Sequence, residues 1–292
     1  MYRSLAEAIR DAEAKGQTLA RIALDREAED QGRTVEEIRS SLARALQVMR
    51  GAIGDGLTGE HRSASGLVGG DAAKLRNDAA GPLADTAFRD ILSRALAVQE
   101  INAAMGVIVA APTAGGAGTL PAVLTGLAAA KGIPDEGVID ALATAGLIGA
   151  VIAERASLSG AEGGCQAETG AGAAMAAGAS TEMLGGTPTQ VGHAVALTMQ
   201  GMLGLVCDPL GGLVELPCVF RNATGSAIAL AGIEMALAGI TFAIPADEVI
   251  DVMGEIGREM DVRYRETAGG GLAATPTGRR LAKERLYQIR RG

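Results

Sequence analysis

Residues 126–186 read GLAAAKGIPDEGVIDALATAGLIGAVIAERASLSGAEGGCQAETGAGAAMAAGASTEMLGG, and this stretch decides the fold. Gly132–Pro134 punctuates two apolar segments whose length and small side chains fit buried helices. A glycine-interrupted loop holding Cys165 follows, and then a short alanine-rich helix that Gly185 and Gly186 stop. No convincing run alternates apolar and polar residues as a half-buried strand does; GLVEL at 212–216 is too short to decide.

The same grammar extends outward in both directions. Towards the N-terminus, PTAGGAGTLP (Pro112–Pro121) is a glycine loop between apolar helices, and the residues 86–110 before it read as one helix. Gly54, Gly56, Gly59, Gly66, Gly69 and Gly70 punctuate a loop region that ends in SGLVGGDAAKL. Before it, Thr34 with Glu37 forms a capping-box pattern that opens a helix through about Arg50. Leu5, Ala8, Ile9 and Ala12 share one face of a charged first helix. Towards the C-terminus, residues 187–206 read as a helix running into CDPLGGLVELPCVFRNATG, and the last apolar helices span 226–239 and 245–259. The expectation is an all-α chain: a single compact helical catalytic domain over 51–292 with glycine-rich active-site loops, preceded by an N-terminal helical extension over 1–50.

Composition limits the classes available. Aromatic residues are only 2% of the 292, there is no Trp, and glycines number 42. A core so poor in rings packs its backbones closely, which suits crossing helices better than a β-sandwich. The net charge of −8 argues against a nucleic-acid binder, and the basic run RRLAKERLYQIRRG at the C-terminus reads as a solvated final helix. Mean hydropathy is +0.23, yet each apolar run is broken by Pro121, Asp140 or Glu234. A membrane span needs about 20 predominantly apolar residues, so these runs read as core helices. Three cysteines make no disulfide framework, and the chain opens on a charged amphipathic stretch, so a reducing cytoplasm is expected.

The cysteines carry the chemistry. Cys165, Cys207 and Cys218 stand in GGCQAE, CDPLGG and LPCV, with 41 residues between the first pair and 10 between the second. On spacing alone they could be small buried hydrophobes, because no C-x-x-C is present. Irregular backbone around each sulfur offers N–H groups that stabilise thiolates. Three thiolates also suit a cubane cluster with one iron free of protein ligands, a Lewis acid rather than an electron carrier.

NAAMG (102–106), PTAGGAGTLP, GCQAE (164–168), GLVCDPLGGLVELPCVFRN (204–222) and GGLAATPTG (270–278), in this order along the chain, resemble the α chain of the iron–sulfur-dependent L-serine dehydratases. The resemblance also takes in the first residues, MYRSLAEAIRDAEAKGQTLARIAL. It implies a lyase (L-serine ammonia-lyase) that removes water and then ammonia from L-serine to give pyruvate. It implies an oxygen-sensitive 4Fe–4S cluster on Cys165, Cys207 and Cys218, and no pyridoxal phosphate. It also implies a separate β chain as partner and, as a broad assignment, a link with gluconeogenesis. The base of the family lies in the β portion, so none is carried onto this chain.

Other residues are candidates on their own chemistry. Thr113, Gly115 and Gly118 lie in a loop whose N–H groups and hydroxyl could cradle a carboxylate, or which could simply be a tight turn. Asp71 and Lys74 could hold substrate or cap a helix. Arg221 could pair a carboxylate bidentately or pin a partner chain, and Asn222 adjoins it. His61, in a polar loop, is a weak candidate base, and His193 reads as a satisfied core histidine. Glu168 lies near the first cysteine without an assigned role. Two further readings stay open: an L-cysteine desulfidase of the same architecture, and a non-catalytic iron–sulfur protein.

Overall fold

The computed structural model describes residues 2–78, 81 and 86–289. In chain order its helices are α1 (Leu5–Lys15), α2 (Leu19–Gln31), α3 (Val35–Leu57), α4 (Asp71–Asn77), α5 (Thr86–Ala103), α6 (Thr119–Lys131) and α7 (Asp135–Arg155). They continue as α8 (Gly160–Gly163), a π-helical turn (Gln166–Gly170), α9 (Ala171–Met183), α10 (Pro188–Gln200), α11 (Cys218–Leu237), α12 (Ala246–Glu259) and α13 (Pro276–Ile289). Among the described residues the one extended pairing is an isolated bridge between Cys207 and Arg265. The fold is all-α, as its sequence pattern requires.

The core is built around α9. From Ala171 to Thr181 every residue is buried, and α6, α7, α10 and α11 all pack against it. A helix of alanine and glycine has no broad side chains to hold neighbours away, so their backbones come close. At the crossing of α10 and α11, a Cβ added to Gly232 would lie 2.0 Å from Thr198 Oγ1. At the crossing of α3 and α5, a Cβ on Gly56 would lie 2.3 Å from the Ala97 carbonyl oxygen. This is how a chain nearly free of aromatic rings reaches native packing density. By length and composition α7 could cross a membrane, but most of it is buried in this core.

Leu5, Ala8 and Ala12 of α1 and Leu19 and Ile22 of α2 belong to the same apolar cluster as α7, α9 and α10. Carboxylates from distant helices fasten them. Asp247 of α12 accepts from Leu5 N at 2.7 Å and Ala6 N at 2.9 Å, and Glu182 of α9 accepts from Leu19 N and Ala20 N. Glu100 of α5 treats α4 likewise, accepting from Gly70, Asp71 and Ala72 N–H groups. Each carboxylate satisfies orphan donors at a helix N-terminus and meets the positive end of its dipole.

Several boundaries differ from the sequence pattern. The Thr34–Glu37 capping box is present, but α3 runs on to Leu57, because Ala52, Ile53 and Gly56 continue its buried face. The helix read through residue 110 ends at Ala103. Met105 takes a left-handed φ of 63°, Gly106 N–H closes on the Ile101 carbonyl, and residues 107–110 continue without helix. The helix read through residue 206 stops at Gln200, where Gly201–Gly204 form turns. At the C-terminus, α13 takes up the basic run, whose last three residues lie outside those described.

Candidate functional site

Three buried thiols come from separate parts of the chain and act on one another electrostatically. Cys165 precedes the π-helical turn, an uncommon element often found at functional sites. Cys207 is held by backbone bonds on both sides, its N–H donating to the Tyr264 carbonyl and its carbonyl accepting from Glu266 N–H, each at 2.8 Å. Cys218 opens α11 directly after Pro217, so it lies in a helical first turn rather than in the loop its neighbours suggest. The three are 1%, 2% and 3% exposed, and none is in a disulfide.

The thiols feel one another. Burial pushes the Cys207 thiol far up, and the charges of Cys165, Glu168 and Cys218 push it further. Burial raises Cys218, with Cys165 and Glu168 adding to the shift and Arg221 opposing it. Burial raises Cys165 too, while the Thr169 hydroxyl, 3.1 Å from its sulfur, and Arg221 pull it back. All three are therefore neutral thiols at neutral pH without a bound cation. Among the described residues no group of three or more His, Cys, Asp or Glu is arranged to hold a single metal ion.

Glu168 stands beside them. It projects from the π-helical turn, is 9% exposed, and accepts from Thr113 Oγ1 at 2.7 Å. Its other oxygen lies 3.9 Å from Cys207 Sγ. Glycines make the room: a Cβ on Gly115 would lie 2.9 Å from both carboxylate oxygens, and one on Gly160 would lie 2.6 Å from Oε2 and 3.2 Å from Cys207 Sγ. Burial raises the Glu168 carboxyl, and the Thr113 hydroxyl partly offsets this.

The loop 112–118 is thus wrapped round a carboxylate of the chain itself. Asn222 fixes it from the other side. Its amide donates to Gly115 O at 2.7 Å and to Cys218 O at 3.0 Å, while its carbonyl accepts from Gly118 N at 2.9 Å and from Thr119 Oγ1. Both amide hydrogens and the oxygen of this fully buried side chain are engaged, so Asn222 fastens the loop. Arg221 pairs with Asp208 at 2.7 Å and donates to the Val206 carbonyl, which holds a half-buried guanidinium where its charge acts on Cys165 and Cys218. Asp208 in turn accepts from Leu272 N at 2.6 Å, which anchors the segment before α13.

The remaining candidates bond outside this network. Asp71 and Lys74 pair with each other at 2.7 Å on α4. Among the described residues neither bonds to Glu168, Arg221 or a thiol. His61 is exposed in the loop after α3, and that loop docks through Ser65, which donates to the buried Glu215. His193 accepts from Phe242 N through Nδ1, a structural bond. Glu168 was visible in the sequence only as a neighbour of Cys165; the signal that gives it a place, glycines at 115 and 160 facing it, is tertiary.

Residues 14–273 match the family model described as serine dehydratase alpha chain. The chain is similar to the probable L-serine dehydratase alpha chain of Bacillus subtilis, at 47% identity over 97% of this chain and 95% of that protein. It is similar to the L-serine dehydratase alpha chain of Peptoniphilus asaccharolyticus, at 40% identity over 91% of this chain and 92% of the relative. The L-serine dehydratase of Streptomyces coelicolor is 41% identical over 93% of this chain, which spans 60% of that longer protein.

Proposed function

The chain belongs to the serine dehydratase alpha chain family, and from that premise we propose that it is the catalytic chain of an L-serine ammonia-lyase. In this reading it carries a 4Fe–4S cluster on Cys165, Cys207 and Cys218, uses no pyridoxal phosphate, and works in the cytoplasm with a separate β chain. The reading is supported by the chain's three cysteines, all free and buried, with Cys165, Cys218 and Glu168 each acting electrostatically on Cys207. Thiolate is the ligand form, and the donor set suits an iron–sulfur group better than it suits a lone hard cation. The small residue at 160 leaves space against Cys207 Sγ that any side chain would fill.

When bound, such a cluster supplies a Lewis-acidic iron that makes the serine hydroxyl a better leaving group. The rest of the work falls to the protein. The three thiols give up their protons on loading, so binding couples to proton release. Arg221, held by Asp208, offsets the negative charge that then appears in a buried place. Thr113 and Glu168 fix the loop wall, and Thr113 with the Gly115 and Gly118 backbone is proposed to border the amino acid. Loss of the Cα proton and of water leaves an aminoacrylate, which tautomerises to an imine and hydrolyses to pyruvate and ammonia. The base for the Cα proton is proposed to come from the β chain, with His61 as the weaker candidate here. Asp71 and Lys74, paired with each other on α4, are proposed as weaker substrate contacts.

The relatives above are named for serine, which favours L-serine over L-cysteine as substrate. The cluster assignment is tested by iron and sulfide analysis of the chain reconstituted without oxygen. The parent should hold both, and Cys207→Ala should lose them. A Cys207→Ala protein with the parent's iron content and activity removes that ligand from the account.

A further inference from the structure

A cavity of about 320 Å³ lies between α8, α12 and the segment after the Val262–Tyr264 turn. None of the three cysteines lines it. Two guanidiniums do, those of Arg258 and Arg265. Among the described residues neither has a hydrogen-bond or ion-pair partner, and Arg265 Nε is buried with nothing to donate to. The nearby Asp261 feels the charge of Arg265 but pairs with Arg263 at 3.0 Å. The one acid in the lining, Glu162, accepts from Ser157 Oγ at 2.5 Å. The balance of charge in the lining is positive, and Met253, Ala156 and Ala167 supply apolar wall.

A buried guanidinium N–H without an acceptor is costly, and natural proteins rarely leave one so. Two unpaired guanidiniums on one concave wall match a planar carboxylate, which Arg binds through paired N–H donors. The volume falls at the small end of ligand pockets. We propose that this cavity binds a small carboxylate, of the size of a two- or three-carbon acid, through Arg258 and Arg265. The proposal does not rest on the dehydratase reading, because it needs only the cavity and its two cations.

Contacts link the elements that line the site to the residues beside two of the thiols. A Cβ on Gly257 of α12 would lie 2.8 Å from Gly163 Cα, so α12 and α8 touch backbone to backbone. Gln166, next to Cys165, donates to the Met253 carbonyl at 3.0 Å. Cys207 is bonded through Tyr264, the residue before Arg265. A carboxylate bridging Arg258 and Arg265 therefore ties together the two elements that hold Cys165 and Cys207.

The test is calorimetric titration of the full chain with sodium acetate and sodium pyruvate against a sodium chloride background, with hydrogen exchange to locate the site. Saturable binding at one site is expected, with slowed exchange in peptides covering 160–167 and 254–265. Arg258→Gln and Arg265→Gln should each weaken it by about tenfold or more, and Glu162→Gln should tighten it a few-fold. Arg280→Gln, a change on α13 outside the cavity lining, should bind as the parent does. Should Arg265→Gln fail to fold, Arg258→Gln, on the exposed side of α12, decides alone. Parent-like binding by Arg258→Gln, loss of binding in Arg280→Gln, protection elsewhere, or no saturation overturns the proposal.

Discussion

Thr113 Oγ1 donates to Glu168 Oε1 at 2.7 Å, joining the glycine loop before α6 to the π-helical turn that follows Cys165. The two segments are 55 residues apart in sequence, and this bond with the Asn222 contacts makes them one wall beside the thiols. A loop that looks built to receive a carboxylate already holds one.

Replacing Thr113 with Val keeps the shape and removes the donor. Glu168 then lacks its one hydroxyl partner in a buried place, at a cost of about 1–3 kcal/mol. The urea midpoint of the cluster-free chain should fall for Thr113→Val and stay near the parent's for Thr113→Ser. Equal midpoints for all three would show that the bond contributes nothing.

Asn222→Ala should be among the more damaging single changes. It strands the Gly118 N–H and the Gly115 carbonyl inside the protein, for a loss of about 3 kcal/mol. Asn222→Asp should also destabilise, since an oxygen would face the Gly115 and Cys218 carbonyls. Chemical denaturation of both variants measures this, and a midpoint unchanged in Asn222→Asp would contradict the network.

Two glycines on α3 should respond in opposite directions. Nothing lies within 4 Å of a Cβ on Gly54, so Gly54→Ala gains about 0.5–1 kcal/mol of helix propensity. A Cβ on Gly56 meets the Ala97 carbonyl at 2.3 Å, so Gly56→Ala must push α3 off α5. Thermal melts should show a higher midpoint for the first variant and a clearly lower one for the second.

Glu100 sets a pH dependence. Burial pushes its carboxyl up, and the N–H groups of Ala72, Asp71 and Gly70 bring it only part of the way back. The folded chain therefore holds this proton to higher pH than the unfolded chain does. Stability from this group is complete below the ordinary glutamate range and is lost as pH rises through the folded value. As pH rises above the ordinary glutamate range the parent should lose more stability than Glu100→Gln does. A difference between the two that is flat with pH would contradict the shift.

Much of this was legible in the sequence. Thr34 and Glu37 announced the start of α3, and the Gly132–Pro134 punctuation separated α6 from α7, because caps and turns are local chemistry. The ends of α5 and α10 were not legible. Apolar runs continue past both, and only the left-handed Met105 and the turns at Gly201–Gly204 stop them. The cysteines could be picked out by the irregular sequence round them, but the π-helical turn could not, since it forms against distant packing. The same holds for the committed side chain of Asn222 and for the mutual pairing of Asp71 and Lys74, which spacing left open as substrate contacts.

The most direct measurement is pyruvate release from L-serine by this chain, purified without oxygen together with the proposed β partner, before and after exposure to air. The account predicts pyruvate formation that stops once air is admitted, as iron is lost from Cys165, Cys207 and Cys218. Formation at the same rate after exposure, or none under either condition, would contradict it.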